Sequence, residues 1–250
     1  MSAETTIVRR TLDRPSRSPI FLVMTLLFLA TAVVGFGPRS AAIVTGASPV
    51  PPLVVHVHAA LMVTWLLLLV TQASLVATGR LRLHRTLGGL SLGIAVALLL
   101  ALISVAVVRY GQLTELGLGP FVSNILFLQI RSIVLFPTFY LWAIAARQTD
   151  PETHKRMMLL ATLMLLDAAI ARMGWLPGAS TVTTYDGVHA YLLLLLVPAL
   201  AYDLLRYGRV HRAYVIGLAL LLPWIVVTHF LWNAPWWHAI AAEVMGIKTS

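Results

Sequence analysis

Long apolar runs separated by short polar segments dominate the chain, and no sustained strand-like alternation interrupts them. The runs predict helices over about residues 20–36, 52–78, 84–108, 121–146, 151–175, 187–205 and 213–232. A bilayer interior about 30 Å thick needs roughly 20 apolar residues in a helix, and backbone groups without water must satisfy one another within it. The expectation is an all-α integral membrane bundle of seven transmembrane helices, forming one domain over residues 19–233. Residues 1–18 read as a polar N-terminal tail, and residues 234–250, with Pro235, Trp236, Trp237 and His238, as a tail along the outer interface. Two helix starts have local signals. Asp150 before Pro151 is an N-cap with proline at the first helical position, and Asp186 is placed to cap the sixth helix.

Charge adds an orientation. Only 11% of the 250 residues are charged, against roughly 25% in a soluble domain. A net charge of +9 would suggest nucleic acid as the partner of a soluble protein; here the positive-inside rule accounts for it. Thirteen of the eighteen Lys and Arg residues fall on one side of the seven-helix arrangement. They are Arg9, Arg10, Arg14 and Arg17 in the tail, then Arg80, Arg82 and Arg85, then Arg147, Lys155 and Arg156, then Arg206, Arg209 and Arg212. Arg39, Arg109 and Lys248 are left for the other side. The N-terminus is therefore expected in the cytoplasm and the C-terminus outside, in a multi-pass protein of the cytoplasmic (inner) membrane. The partner is the lipid bilayer, with no nucleic acid. The first apolar run, with Ser40, Ala41 and Ala42 after it, has the layout of a signal peptide. It is longer than the roughly 7–15 residues of such a core and reads as a retained helix. The chain has no cysteine, which excludes disulfides and thiolate sites.

Titratable groups in hydrocarbon are costly, so the polar residues inside the helices carry the candidate chemistry. His56 and His58 open the second helix at the outer face, His189 lies one turn into the sixth, and His229 one turn from the outer end of the seventh. Imidazole is a common ligand of haem iron, zinc and copper. His58 shares a face with Met62, Trp65 and Gln72 and reads as inward-facing. At the cytoplasmic face His84, His154 and His211 begin helices, each followed by a cation. All of these positions also suit plain hydrogen bonding in the headgroup layer. About 26 residues at 1.5 Å rise place His58 and His84 roughly 40 Å apart, so they belong to separate sites. Arg131 and Asp167 fall near the middles of the fourth and fifth helices. An unpaired charge there costs at least ~2.5–3.5 kcal/mol, which predicts a buried Arg131–Asp167 pair. Such a pair is either a packing device or the working part of a proton or anion path. Asn124, Arg131 and Thr138, seven residues apart, predict a polar stripe, with Gln129 and Ser132 beside it. Arg172, nearer the outer face, is expected to pair with Asp186 or with a bound anion such as a haem propionate.

The sequence His58…Gln72…Leu83-His84-Arg85-x-Leu87-Gly88, followed by Asp150…His154-Lys155 with Met157 and Met158, then Arg172, resembles a family of bacterial predicted multi-pass membrane proteins with no assigned function. The likeness covers the second to fifth helices, about half the chain. Histidines at both ends of a central helix set also look similar to the transmembrane ascorbate-reducible cytochromes b, which hold two b haems between paired histidines on four consecutive helices. That resemblance implies an outer haem pair, His58 with His189 or His229, an inner pair, His84 with His154, and electron transfer involving a quinone or another redox partner. Two other classes stay open. One is a zinc-dependent membrane hydrolase in which His58, His189 and His229 bind metal and activate water. It resembles the ceramidase and adiponectin-receptor group in helix count and orientation, without the His-x-x-x-His of their last helix. The other is a non-catalytic transporter or assembly factor with Arg131 and Asp167 as its working charges. The chain has no Gly-rich phosphate loop, His-Glu-x-x-His or nucleophile elbow.

Overall fold

Helix is the only regular structure among the described residues of the computed structural model, which are 18–179, 181 and 184–246. Arg9, Arg10, Arg14, Arg17 and Lys248 lie outside them. The helices are α1 (Ile20–Val44), α2 (Leu53–Ala77), α3 (Leu81–Gly88), α4 (Leu90–Glu115), α5 (Gly119–Ala146) and α6 (Pro151–Leu163), followed by α7 (Asp167–Ile170), α8 (Asp186–Leu194), α9 (Val197–Tyr207), α10 (Arg212–Leu231) and α11 (Pro235–Val244). Six stretches are long and apolar enough to cross a membrane: α1, α2, α3 with α4, α5, α8 with α9, and α10. The chain is a multi-pass membrane protein.

The helices gather around α5, which packs against α4, α6, α10 and α11. The seam between α5 and α6 is lined by buried apolar side chains, among them Phe136, Phe139, Met157 and Leu160. Trp65 of α2 inserts edge-on against Phe136 at 5.3 Å and Tyr140 at 5.6 Å between ring centroids. Its Nε1–H donates to Thr162 Oγ1 at 3.1 Å, so a buried indole finds the partner it requires. On the other side of α5, α11 packs through Trp237, whose Nε1–H donates to the Ser123 carbonyl at 2.9 Å.

The expected helix over 151–175 is broken, and the break is the main departure from the sequence pattern. α6 ends at Leu163 and only the single turn α7 follows. Between them the backbone tightens to three-residue bonds: Leu165 N–H to Thr162 O at 3.0 Å and Leu166 N–H to Leu163 O at 3.1 Å. The Met164 carbonyl accepts from Ser132 Oγ of α5 at 2.8 Å. Irregular backbone at membrane depth is tolerated where protein buries it, and Met164, Leu166 and Asp167 are all buried. No proline or glycine lies between Pro151 and Gly174, so local propensity gives no warning; the break rests on tertiary bonds. α1 closes over it through Gly35, where a Cβ would collide with the Ala169 backbone.

This broken segment is tied to its neighbours at both ends. At its start Asp150 meets Arg212 of α10 at 2.8 Å. At its finish Tyr191 of α8 donates to the Pro177 carbonyl at 3.0 Å, and Gly187 leaves room for the Gly178 carbonyl. The other expected bounds shift less. α1 continues through Pro38 to Val44 and α4 continues to Glu115. The expected helix over 187–205 is interrupted before α9, because Pro198 lacks an N–H and its ring conflicts with the carbonyl four residues earlier.

The α6 start is as the sequence suggests. Asp150 accepts from Thr153 N–H at 3.0 Å and Thr153 Oγ1 at 2.7 Å. The backbone bond first, then the hydroxyl and Arg212, hold its carboxyl well below the usual carboxylate range. A depressed folded-state value contributes stability above the unfolded carboxylate range and loses it as pH falls through the folded value. Asp150→Ala is therefore expected to cost about 1 kcal/mol at neutral pH, with the deficit shrinking in strong acid. Thermal unfolding in detergent at the two pH values checks this; an equal deficit at both would contradict it.

Candidate functional site

The break in the central segment aims Asp167 at α5, where Arg131 is 0% exposed, and the carboxylate pairs with the guanidinium. Arg131 Nη1 also lies 2.9 Å from His189 Nε2 of α8. A guanidinium can only donate, so His189 Nε2 accepts, and the neutral imidazole carries its proton on Nδ1. Tyr185, just before α8, completes the wall: its ring centroid is 5.0 Å from that of His189 and 4.9 Å from that of Trp232. Its hydroxyl donates to the Asp167 carbonyl at 3.4 Å.

This centre is under-bonded. The buried side-chain nitrogen and oxygen atoms without a hydrogen-bond partner, among the described residues, all belong to His58, Arg131, Asp167, His189 and Trp232. Arg131 Nη2 and Asp167 Oδ2 meet each other in the ion pair; buried polar atoms are bonded in the great majority of cases, so the others beside that pair need a physical reason. Arg131 Nε, His189 Nδ1 and Trp232 Nε1 are all N–H donors left over.

Arg172 stands five residues after Asp167. Its Nη1 donates to the Ala168 carbonyl at 2.6 Å and its guanidinium lies 4.6 Å from the centre of the Phe36 ring. It does not take Asp186, which pairs instead with His229 at 2.8 Å. This corrects the expected Arg172–Asp186 pair. Asp186 starts α8 as its first residue, with Tyr185 at the cap position, so it is not the cap expected of it. Arg172 is within electrostatic range of Arg39 and Arg109 and of His58.

The expected metal set does not assemble. His189 is bonded to Arg131, His229 is exposed beside Asp186, and His58 Nδ1 is buried without a partner. Among the described residues no group of three or more His, Asp or Glu side chains could hold a metal ion. The polar stripe on α5 also divides. Asn124 bonds Asn233 at 2.9 Å and His238 at 3.0 Å, while Thr138 is exposed and bonds only its own helix.

At the opposite end of the bundle the His-Arg-x-Leu-Gly residues form a hairpin clasp. With its amide oriented to satisfy both neighbours, Gln72 donates to His84 Nδ1 at 2.7 Å and accepts from Gly88 N–H at 2.8 Å. His154 Nδ1 lies 2.8 Å from the Ala143 carbonyl, which fixes that proton on Nδ1 and leaves Nε2 as an acceptor. His84 and His154 are within electrostatic range of each other. As haem ligands the two differ. His154 has the tautomer that an axial ligand needs, whereas in neutral His84 the proton is on Nε2. The outer pair fits less well, because Arg131 occupies the acceptor nitrogen of His189.

Three features escaped the sequence reading. Tyr185 gave no signal, being one aromatic in a polar loop. In the sequence Ser132 is only a neighbour of the polar stripe. Arg156, a loop cation by its place in the sequence, is 1% exposed and forms a two-pronged pair with Asp203, with Glu152 at 2.6 Å as a second partner. The signal for that network was Asp203 itself, an acid among the apolar residues of α9. Comparison with protein-family models, curated proteins and solved structures finds no match.

Proposed function

We propose that the protein is a carrier of a small charged solute in the cytoplasmic membrane, and that the Arg131–Asp167–His189 centre does the carrying. The single observation behind this reading is the concentration of unbonded buried polar atoms around an ion pair at a break in the central segment. Ionisable groups at such depth mark ion pathways and proton relays, and discontinuous helices in carriers expose backbone and charge to the solute at mid-membrane. In this reading the broken segment is a seventh crossing, because it joins the Arg212 end of the bundle to the Asp186 end. The N-terminus is then cytoplasmic and the C-terminus outside, as the basic residues suggest.

A carrier opens its centre to each side in turn; a packing device opens to neither. The absence of native cysteine makes this testable with one near-isosteric change, Ser132→Cys. A small membrane-impermeant thiol reagent is expected to modify it from either face, in right-side-out and inverted vesicles. Protection from both faces would overturn the reading.

Electron transfer through b haem is a second reading, favoured by the tautomer of His154. His154 would hold that haem, which would supply one-electron chemistry, and His84 could join it only on releasing Gln72. A reducible Soret band in protein from haem-replete cells supports it, and a colourless preparation that takes up no haem rejects it.

A further inference from the structure

We infer that the Arg131 centre binds a small monovalent oxyanion, a carboxylate being the best match, and that one proton accompanies each anion by neutralising Asp167. The inference rests on the carrier reading for its purpose, but its chemistry comes from the centre alone. Donors outnumber acceptors in the site, three unspent N–H groups standing against one unspent acceptor, Asp167 Oδ1. Arg131 spends Nη1 on His189 and Nη2 on Asp167, and its Nε–H is unspent. His189, forced into the tautomer with Nδ1–H by Arg131, leaves that donor unspent, and Trp232 leaves its only donor, Nε1–H. Three buried N–H groups of this kind ask for an acceptor, and a guanidinium favours one with two oxygens. Arg172, which meets no carboxylate at ion-pair distance among the described residues, adds a positive field together with Arg39 and Arg109.

Neutrality then dictates the proton. The free centre holds Arg131 positive, Asp167 negative and His189 neutral. An anion arriving at Arg131 brings a second negative charge into a medium that penalises net charge heavily. A proton from the adjoining solution bonded to an Asp167 carboxylate oxygen restores balance: Arg131 positive, anion negative, Asp167 neutral. The other titratable groups around the pair are Tyr185 and His189 from the α8 side, then Arg172, within electrostatic range of Tyr185, and His58 of α2, within range of Arg172. α1, packed on the same turn through Gly35, carries one titratable side chain, Arg39, a single helical turn beyond that contact and already positive. Tyr185 and the arginines already hold their protons, and the one ring lone pair of neutral His189 is engaged by Arg131, which leaves Asp167 as the open proton acceptor at the ion pair. Asp167 is therefore the group that takes the proton.

The test uses the full chain in detergent or nanodiscs, with sodium acetate against sodium chloride at matched ionic strength. Acetate is expected to raise the thermal midpoint saturably, beyond chloride. Calorimetry in buffers of different ionisation enthalpy should show close to one proton taken up per acetate bound. Asp167→Asn should bind acetate without the proton, since no carboxylate remains to neutralise. Trp232→Phe, which leaves all charges in place, should weaken acetate about tenfold, the worth of one hydrogen bond to a charged group. No saturable effect of acetate, an equal effect of chloride, or binding with no proton uptake by the unmodified protein would overturn the inference. The two proposals fail separately. Labelling of Ser132→Cys from both faces without acetate binding leaves the carrier and removes the anion. Acetate binding with Ser132→Cys protected leaves the anion site and removes the carrier.

Discussion

Asp167→Leu is expected to lower the unfolding free energy by about 3–5 kcal/mol, the usual cost of stranding one member of a buried ion pair. Arg131 is fully buried and cannot shed its proton, so the variant keeps an uncompensated cation with only His189 as a partner. Arg131→Met should behave differently. The carboxylate it strands can be neutralised by protonation, so the loss is expected to be large at alkaline pH and to shrink as the solution is acidified. The double variant Arg131→Met/Asp167→Leu removes both charges and should recover much of the single losses, because apolar replacements of a buried pair are often neutral or better. Equilibrium unfolding in mixed micelles across pH measures all three. Single losses that simply add in the double variant would mean that the two side chains are not energetically coupled. Recovery of stability without recovery of acetate binding would separate what the pair does for folding from what it does for a solute.

The lipid-spanning character of the chain was legible because hydropathy over twenty residues is a one-dimensional property, and six stretches carry it unambiguously. The break after Leu163 was not. Met164 and Leu165 look like any other helical residues, and only the Ser132 hydroxyl reaching from α5 shows why the backbone departs from helix there. Depth counting could bring Arg131 and Asp167 to one level, since both positions follow from helix ends and a fixed rise. It could not foresee that His189 would occupy the other side of the guanidinium, because spacing along one helix does not say which neighbouring helix turns a side chain towards it. The motif Gln72, His84, Gly88 shows the converse error. A pattern that suggested ligand chemistry turns out to hold a hairpin together through one amide. Spacing cannot tell a histidine that accepts a structural hydrogen bond from one that waits for a metal; the partner of its other nitrogen can.

The same energetics at the opposite end of the bundle should give an unequal result for Arg156 and Asp203. Arg156 Nε donates to Asp203 Oδ2 at 2.9 Å, Nη2 pairs with Oδ1, and Nη1 donates to the Glu152 carboxylate at 2.6 Å and its carbonyl at 3.0 Å. Asp203 Oδ2 also accepts from His211 N–H at 3.1 Å, just before α10 begins. Arg156→Met leaves Asp203, 1% exposed, with that backbone bond alone, and is expected to cost about 3–5 kcal/mol. Asp203→Asn keeps an acceptor of nearly the same shape, and Arg156 keeps Glu152, so the loss should be smaller by at least about 1 kcal/mol, the worth of one net hydrogen bond. Because Asp203 also serves His211, an apolar double variant should not recover fully as it does at Arg131 and Asp167. Unfolding measurements that rank Asp203→Asn as the more damaging change would show that Glu152, the most solvent-accessible member of the network, holds Arg156 too loosely to compensate. Neither variant should change acetate binding, since the network spends its donors and acceptors on itself and leaves none among the buried atoms without a partner.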